Sequence, residues 1–224
     1  MLRPLSVNDD NDLCMRAALI FAFLTGSRVS NYASVGVGRD HPLRWRDVAF
    51  DLTASIPAVC VTRRTSKTRQ GGKYKPHPLW LGAAPRTPTL CPVAALRAWH
   101  SVCVARGRAR SRDHVFVRSD GTRLSAAHVN DFLATRAVAA GVTALTSHCM
   151  RVSFMTCGSI CGATRAVLYR QADFANPTTN VTAEYTYVHD FRVRMVRLTQ
   201  QLLLTTSTQL ATGTPAATDR RARR

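Results

Sequence analysis

Acidic side chains are what this 224-residue sequence has least of: one Glu, Glu184, and twelve Asp. The only close acidic cluster is Asp9, Asp10 and Asp12, and it opens an apolar-periodic segment, where acidic residues favour a helix start. With no second cluster to complete the ligand set, chemistry that needs two bridged metal ions is excluded. C-x-x-C pairs are absent, as are a G-x-x-x-x-G-K-[ST] phosphate loop and a G-x-S-x-G nucleophile turn. Cys149, Cys157 and Cys161 stand at helical spacing, which reads as one apolar face rather than a zinc site. No apolar run approaches the roughly 20 residues of a membrane span. The opening MLRPLSVNDDNDL lacks the basic-then-apolar order of a secretory signal, so the seven cysteines read as reduced thiols of an intracellular protein with no membrane partner.

What is present is cationic. Lys and Arg number 31 against 13 carboxylates, a formal charge of +18, while 46% hydrophobic residues suffice to close one core. Between Leu52 and Arg112 there is no acidic residue at all, yet Arg63, Arg64, Lys67, Arg69, Lys73, Lys75, Arg86, Arg97, Arg106, Arg108, Arg110 and Arg112 all fall there. A surface that only needs solubility mixes both signs; one this uneven calls for a polyanion, and nucleic acid is the leading partner.

The pattern along the chain predicts an α+β fold, mainly helical, with a small three-stranded antiparallel sheet. Asp9 or Asp10 caps a helix through Leu24, and Gly26 stands where a C-terminal cap belongs. Alternation marks strands at Trp45–Phe50, Ala58–Arg63 and Lys73–Leu81, with Gly71-Gly72 as the turn between the last two. Cys91–Ala105 has helical periodicity with Pro92 in its first turn, and His114–Val117 reads as a short strand before the Asp120-Gly121 turn. Further helices are expected at Ser125–Ala140, His148–Cys161, Thr164–Gln171, Thr178–Tyr187 and Phe191–Leu204. The expected organisation is a short lead over 1–9, one domain over 10–204 and a disordered basic tail over 205–224.

Without metals or paired carboxylates, a phosphodiester can still be attacked by a side-chain hydroxyl. Cationic donors must neutralise the non-bridging oxygens and an acid must protonate the leaving sugar oxygen. Those parts are a Tyr, two Arg, a His and a Lys, and the sequence holds them in a suggestive order. His148 and Arg151 are three apart on one expected helix, Arg28 follows the first helix, Lys67 rides on the basic hairpin, and Tyr185 lies on a late helix. Lys73 and Lys75 compete with Lys67, and Tyr187 competes with Tyr185 from about 200° around the helix.

Several segments resemble the catalytic domain of the tyrosine recombinases, or phage-type integrases, from about residue 10 to 190. TGSRVSNY (25–32) resembles the segment of the first catalytic arginine, TSKTRQGG (65–72) the hairpin of the family lysine, and SHCMR (147–151) the H-x-L-R motif. AEYTYV (183–188) is similar to the nucleophile segment. LRWRDVAF (43–50), CPVAALRAW (91–99) and HVFVRSDGTRLSAAHVN (114–130) follow in the same order.

The resemblance implies Arg28, Lys67, His148, Arg151 and Tyr185 as catalytic residues, with Arg63, Arg64, Arg69, Lys73 and Lys75 meeting DNA. It implies a site-specific recombinase that works through a 3′-phosphotyrosyl bond with no cofactor, as a homotetramer on double-stranded DNA. Phe191–Leu204 is then the helix passed to a neighbour. Two departures stand out. Where the family carries a His or Trp nine residues before the nucleophile, this sequence has Asn176. Only about nine residues precede the first helix, so the DNA-clamping front domain is expected from elsewhere. Two other classes share part of the pattern: a type IB topoisomerase-like nicking and closing enzyme, and a mobile-element derivative that only binds DNA.

Overall fold

The computed structural model describes residues 9–36, 42–64, 76–142 and 145–172. Helix α1 (Asp10–Thr25) begins where Asp9 turns its carboxylate onto the Asn11 and Asp12 amides, and it ends at Gly26 in the left-handed conformation. Its Cys14, Ala17, Ala18, Phe21, Ala22 and Leu24 are all 2% exposed or less. A helix buried on most of its circumference is a central post, and α1 packs against both α2 (Pro92–Ala105) and α4 (Ser147–Ile160).

A three-stranded antiparallel sheet stands beside this post in the order β1 (Val48–Asp51), β2 (Ala58–Arg63), β3 (His77–Gly82). Val59 pairs with Leu81 and Val61 with Leu79, and these four fully buried side chains form the inner face. Helix α3 (Ala126–Ala139) is capped by Ser125 and buries Val129, Leu133 and Ala137. The short α5 (Arg165–Ala172) lies against α4, where Gly158 leaves room for Leu168. The fold is thus mainly helical α+β, as expected. Among the described residues no helix is long and apolar enough to cross a membrane.

The core is aromatic at its centre. Phe21, Tyr32 and Phe116 pack with ring centroids 6.1 to 6.3 Å apart, and the Trp99 indole donates to the Val115 carbonyl at 2.5 Å. Cys14 and Cys103 belong to this core. Burial pushes the Cys103 thiol up to about 12 against the pull of Arg108, and burial with the neighbouring Cys103 drives Cys14 higher still. Both behave as small neutral apolar groups.

Three strands differ from the sequence pattern, and the one expected from Lys73 begins at His77, since Pro76 has no amide to give a ladder. The strand expected from Trp45 begins at Val48, because the Asp47 carboxylate accepts from the Arg44 amide at 3.1 Å and curls Trp45–Asp47 into a 3₁₀ turn. The segment around His114–Val117 forms isolated bridges, His114 with Arg44 and Val117 with Arg123, since the curl at Trp45 removes the next rung of a ladder. The Gly71-Gly72 turn, the last two expected helices and the tail lie outside the described residues.

Gly26 is constrained both by its backbone and by its neighbours. Its φ is +56°, and a Cβ there would meet the Phe154 ring at 2.6 Å and Ala172 at 2.8 Å. Gly26→Ala is expected to cost about 2–4 kcal/mol from left-handed strain and overpacking. Urea unfolding checks this: the midpoint falls while the slope is unchanged.

Candidate functional site

The site is built around the loop that follows α1. Gly26 reverses the chain, Ser27 is fully buried, and Arg28, half-buried, opens the 3₁₀ turn Val29–Asn31. A directed hydroxyl chain holds the loop. Thr25 donates its hydroxyl proton to the Phe21 carbonyl at 2.7 Å, so the 2.6 Å contact between Thr25 and Ser27 must use the Ser27 proton. The Ser27 oxygen is then left to accept, and Arg63 Nη2 donates to it at 2.8 Å.

Arg63, which the sequence alone groups with the DNA-facing cations, is only 3% exposed. Its direction follows from the pleat: Val59, Val61 and Arg63 are alternate residues of β2 and share its inner face. From there its guanidinium reaches Ser27 and, at 3.5 Å, the Gln171 carbonyl on α5. Period-two alternation was the signal in the sequence that pointed to this inward placement.

Arg151 reaches the same loop from the other side. It is 4% exposed, and its Nη1 donates to the Gly26 carbonyl at 2.7 Å and to the Ala172 carbonyl at 2.5 Å. Buried guanidinium is tolerated only where carbonyls or hydroxyls replace water, and these contacts do so. Gln171 and Ser27 carry no signal in the sequence, yet both sit in this cluster. The Gln171 amide is fully buried and meets no hydrogen-bond partner among the described residues.

His148 lies one helical turn before Arg151, rotated about 60° from it, and is exposed. Its position is fixed because the Ser147 amide donates to Asn130 Oδ1 at 2.8 Å, tying the start of α4 to α3. The pair therefore differs in depth, with Arg151 in the floor and His148 at the rim. Arg64, next to Arg63 but on the opposite face of the strand end, is half-exposed and ion-paired with buried Asp47. Lys67, Arg69, Lys73, Lys75, Asn176, Tyr185 and Tyr187 lie outside the described residues. Among the described residues no three His, Cys, Asp or Glu side chains gather closely enough to hold a metal ion.

The solved structures include one with this arrangement of elements, the crystal structure of the XerH site-specific recombinase bound to difH substrate in a pre-cleavage complex. The match has a TM-score of 0.50 at 14% identity. It covers 83% of this chain and 46% of the recombinase chain, so this chain spans less than half of that protein. No family model and no curated protein sequence matches the chain. At this identity the likeness is one of fold.

The contrast between neighbouring basic residues is measurable. Arg63→Ala removes a buried cation that donates to Ser27 and is expected to cost about 1.5–3 kcal/mol. Arg46→Ala, at an exposed side chain, should stay within about 0.5 kcal/mol. Equal unfolding midpoints for the two variants would contradict the inward placement of Arg63.

Proposed function

We propose that this chain is the catalytic domain of a site-specific DNA recombinase of the tyrosine class, spanning residues 10–204. The observation that carries the reading is the hydrogen bond from Arg151 to the Gly26 carbonyl. It joins two segments 125 residues apart in sequence, and these are the segments that resemble the family's two arginine motifs. The recombinase fold and the +18 charge support the same reading.

In this proposal the Tyr185 phenol attacks the scissile phosphorus, forming a 3′-phosphotyrosyl bond as the bond to the 5′-oxygen breaks. Lys67 gives its proton to the departing 5′-oxygen, and His148 exchanges the proton of the attacking phenol. Arg28 and Arg151 neutralise the non-bridging oxygens, Arg28 from the loop and Arg151 from the floor. The phosphotyrosyl bond keeps the energy of the phosphodiester, so rejoining to another strand needs neither ATP nor metal. Arg64, Arg69, Lys73 and Lys75 line the DNA path beside the site. Four copies act together on two duplexes, Phe191–Leu204 joining each to its neighbour. Asn176 favours a second reading, a chain that binds DNA without cutting it, because an amide carries no charge and moves no proton near neutral pH.

Trapping on a nicked suicide duplex separates the two readings. The covalent adduct should form with the parent chain, persist in Tyr187→Phe and vanish in Tyr185→Phe, which deletes only the hydroxyl. An adduct that depends on Tyr187 instead shifts the assignment by two residues, and no adduct in any form favours the binding protein.

Lys67→Ala should slow cleavage by about 10²-fold or more, the usual range for a lost general acid. A substrate with sulfur at the 5′ leaving position departs without protonation and should restore the rate. Rescue of Lys73→Ala in place of Lys67→Ala moves the acid to that residue.

A further inference from the structure

Two segments to which the recombinase reading assigns no contact with DNA come together at the end of the sheet nearest the site. Residues 43–46 run antiparallel to 111–115: the Arg46 amide donates to the Ser111 carbonyl at 3.0 Å, Trp45 to Asp113 at 3.0 Å, and Val115 back to Leu43 at 3.0 Å. Arg44 Nη1 reaches across to the Arg112 carbonyl at 2.5 Å. This zipper sets Arg44 and Arg46 beside Arg110 and Arg112. Arg64 joins them through its ion pair with Asp47, next to Arg63 and the Ser27 loop.

The ridge holds five arginines against two carboxylates, and both carboxylates are already engaged by main-chain amides or by Arg64. Asp47 accepts from the Arg44 amide and from Arg64, while Asp113 Oδ2 accepts from the Arg110 amide at 2.8 Å. Arg46, Arg110 and Arg112 are exposed, and their side chains make no hydrogen bond or ion pair among the described residues. Mutual repulsion makes such a grouping unfavourable unless an anion neutralises it. The aromatic ring at this edge, Trp45, is 6% exposed and packs against His100 at 4.7 Å, so it offers no stacking surface to a base.

We infer that Arg46, Arg110 and Arg112, with Arg44 behind them, form a second phosphate-binding ridge that holds duplex DNA next to the site without reading its sequence. Zipped segments lie about 5 Å apart. Phosphates follow one another about every 3.4 Å of helix axis on one strand, so adjacent phosphates of one backbone come within reach of both segments. The ridge joins parts of the chain that are far apart in sequence. Its ligand is the backbone of the same duplex, so the inference rests on the DNA reading of the preceding subsection.

The test is the salt dependence of binding to a 30-base-pair duplex of arbitrary sequence, measured with the full chain. Each of Arg46→Ala, Arg110→Ala and Arg112→Ala should lower the slope of log K against log salt by about 0.9, and the triple variant by about 2.7. Arg86→Ala, at an exposed residue of the loop after β3, should keep the parent slope. Thermal melting of each variant should match the parent, because these side chains bond to nothing in the fold. The triple variant should still form the tyrosyl adduct at low salt and saturating protein. A triple variant with the parent slope overturns the ridge while leaving the recombinase reading intact. Equal losses at Arg86 and at the ridge also overturn it, because net charge rather than placement would then govern binding. A parent chain that binds no duplex at low salt overturns both readings.

Discussion

Two buried guanidiniums meet at one short loop, and the arrangement of the rest follows from that meeting. Arg63 comes from the end of β2 and takes the Ser27 hydroxyl, while Arg151 comes from α4 and takes the Gly26 carbonyl. Both also bond main-chain carbonyls at the end of α5, Gln171 and Ala172. Sheet, central helix, α4 and α5 are thereby fastened to the same two loop residues. A cation held away from water must find acceptors in the protein, so none of these elements can shift without leaving a charge unsolvated. That requirement is what places Arg28, the next residue along, at a defined spot.

The same economy of carboxylates shapes the surface. Asp9, Asp47 and Asp113 are occupied by main-chain amides or by an arginine, where they cap a helix or curl a turn. Negative charge is consumed in local structure, and the cations near it are left facing outward. The strongly positive character thus belongs to particular edges, such as the zipped segments at Arg46 and Arg112. Core cysteines complete the picture: burial holds Cys14 and Cys103 as neutral thiols, so their place in the sequence reflects packing and not chemistry.

Some elements were legible because their causes are local. The Asp9 cap and the Gly26 stop frame α1, and the alternation of Ala58–Arg63 gives β2 its bounds. Pro92 and Ser125 mark the starts of two further helices. The strand expected at Trp45 starts late because a side chain, Asp47, competes with the ladder for the Arg44 amide. No period-two count contains that competition. Of the candidate site, the positions of Arg28 on a loop and of His148 and Arg151 on one helix were readable, whereas their difference in depth was not.

The sequence by itself determined a strongly cationic protein, the bounds of the described helices to within a residue, and the order of an arginine loop and an H-x-x-R helix. Those are properties of composition and of spacings within a few residues, which local backbone physics enforces. The tertiary structure alone decided that Arg63 takes the Ser27 hydroxyl as its partner, that Gly26 meets Arg151, and that 43–46 zips to 111–115. Ser27 and Arg63 are 36 residues apart and Gly26 and Arg151 are 125 apart. A contact over such a distance exists only once the core has closed and brought both partners out of water.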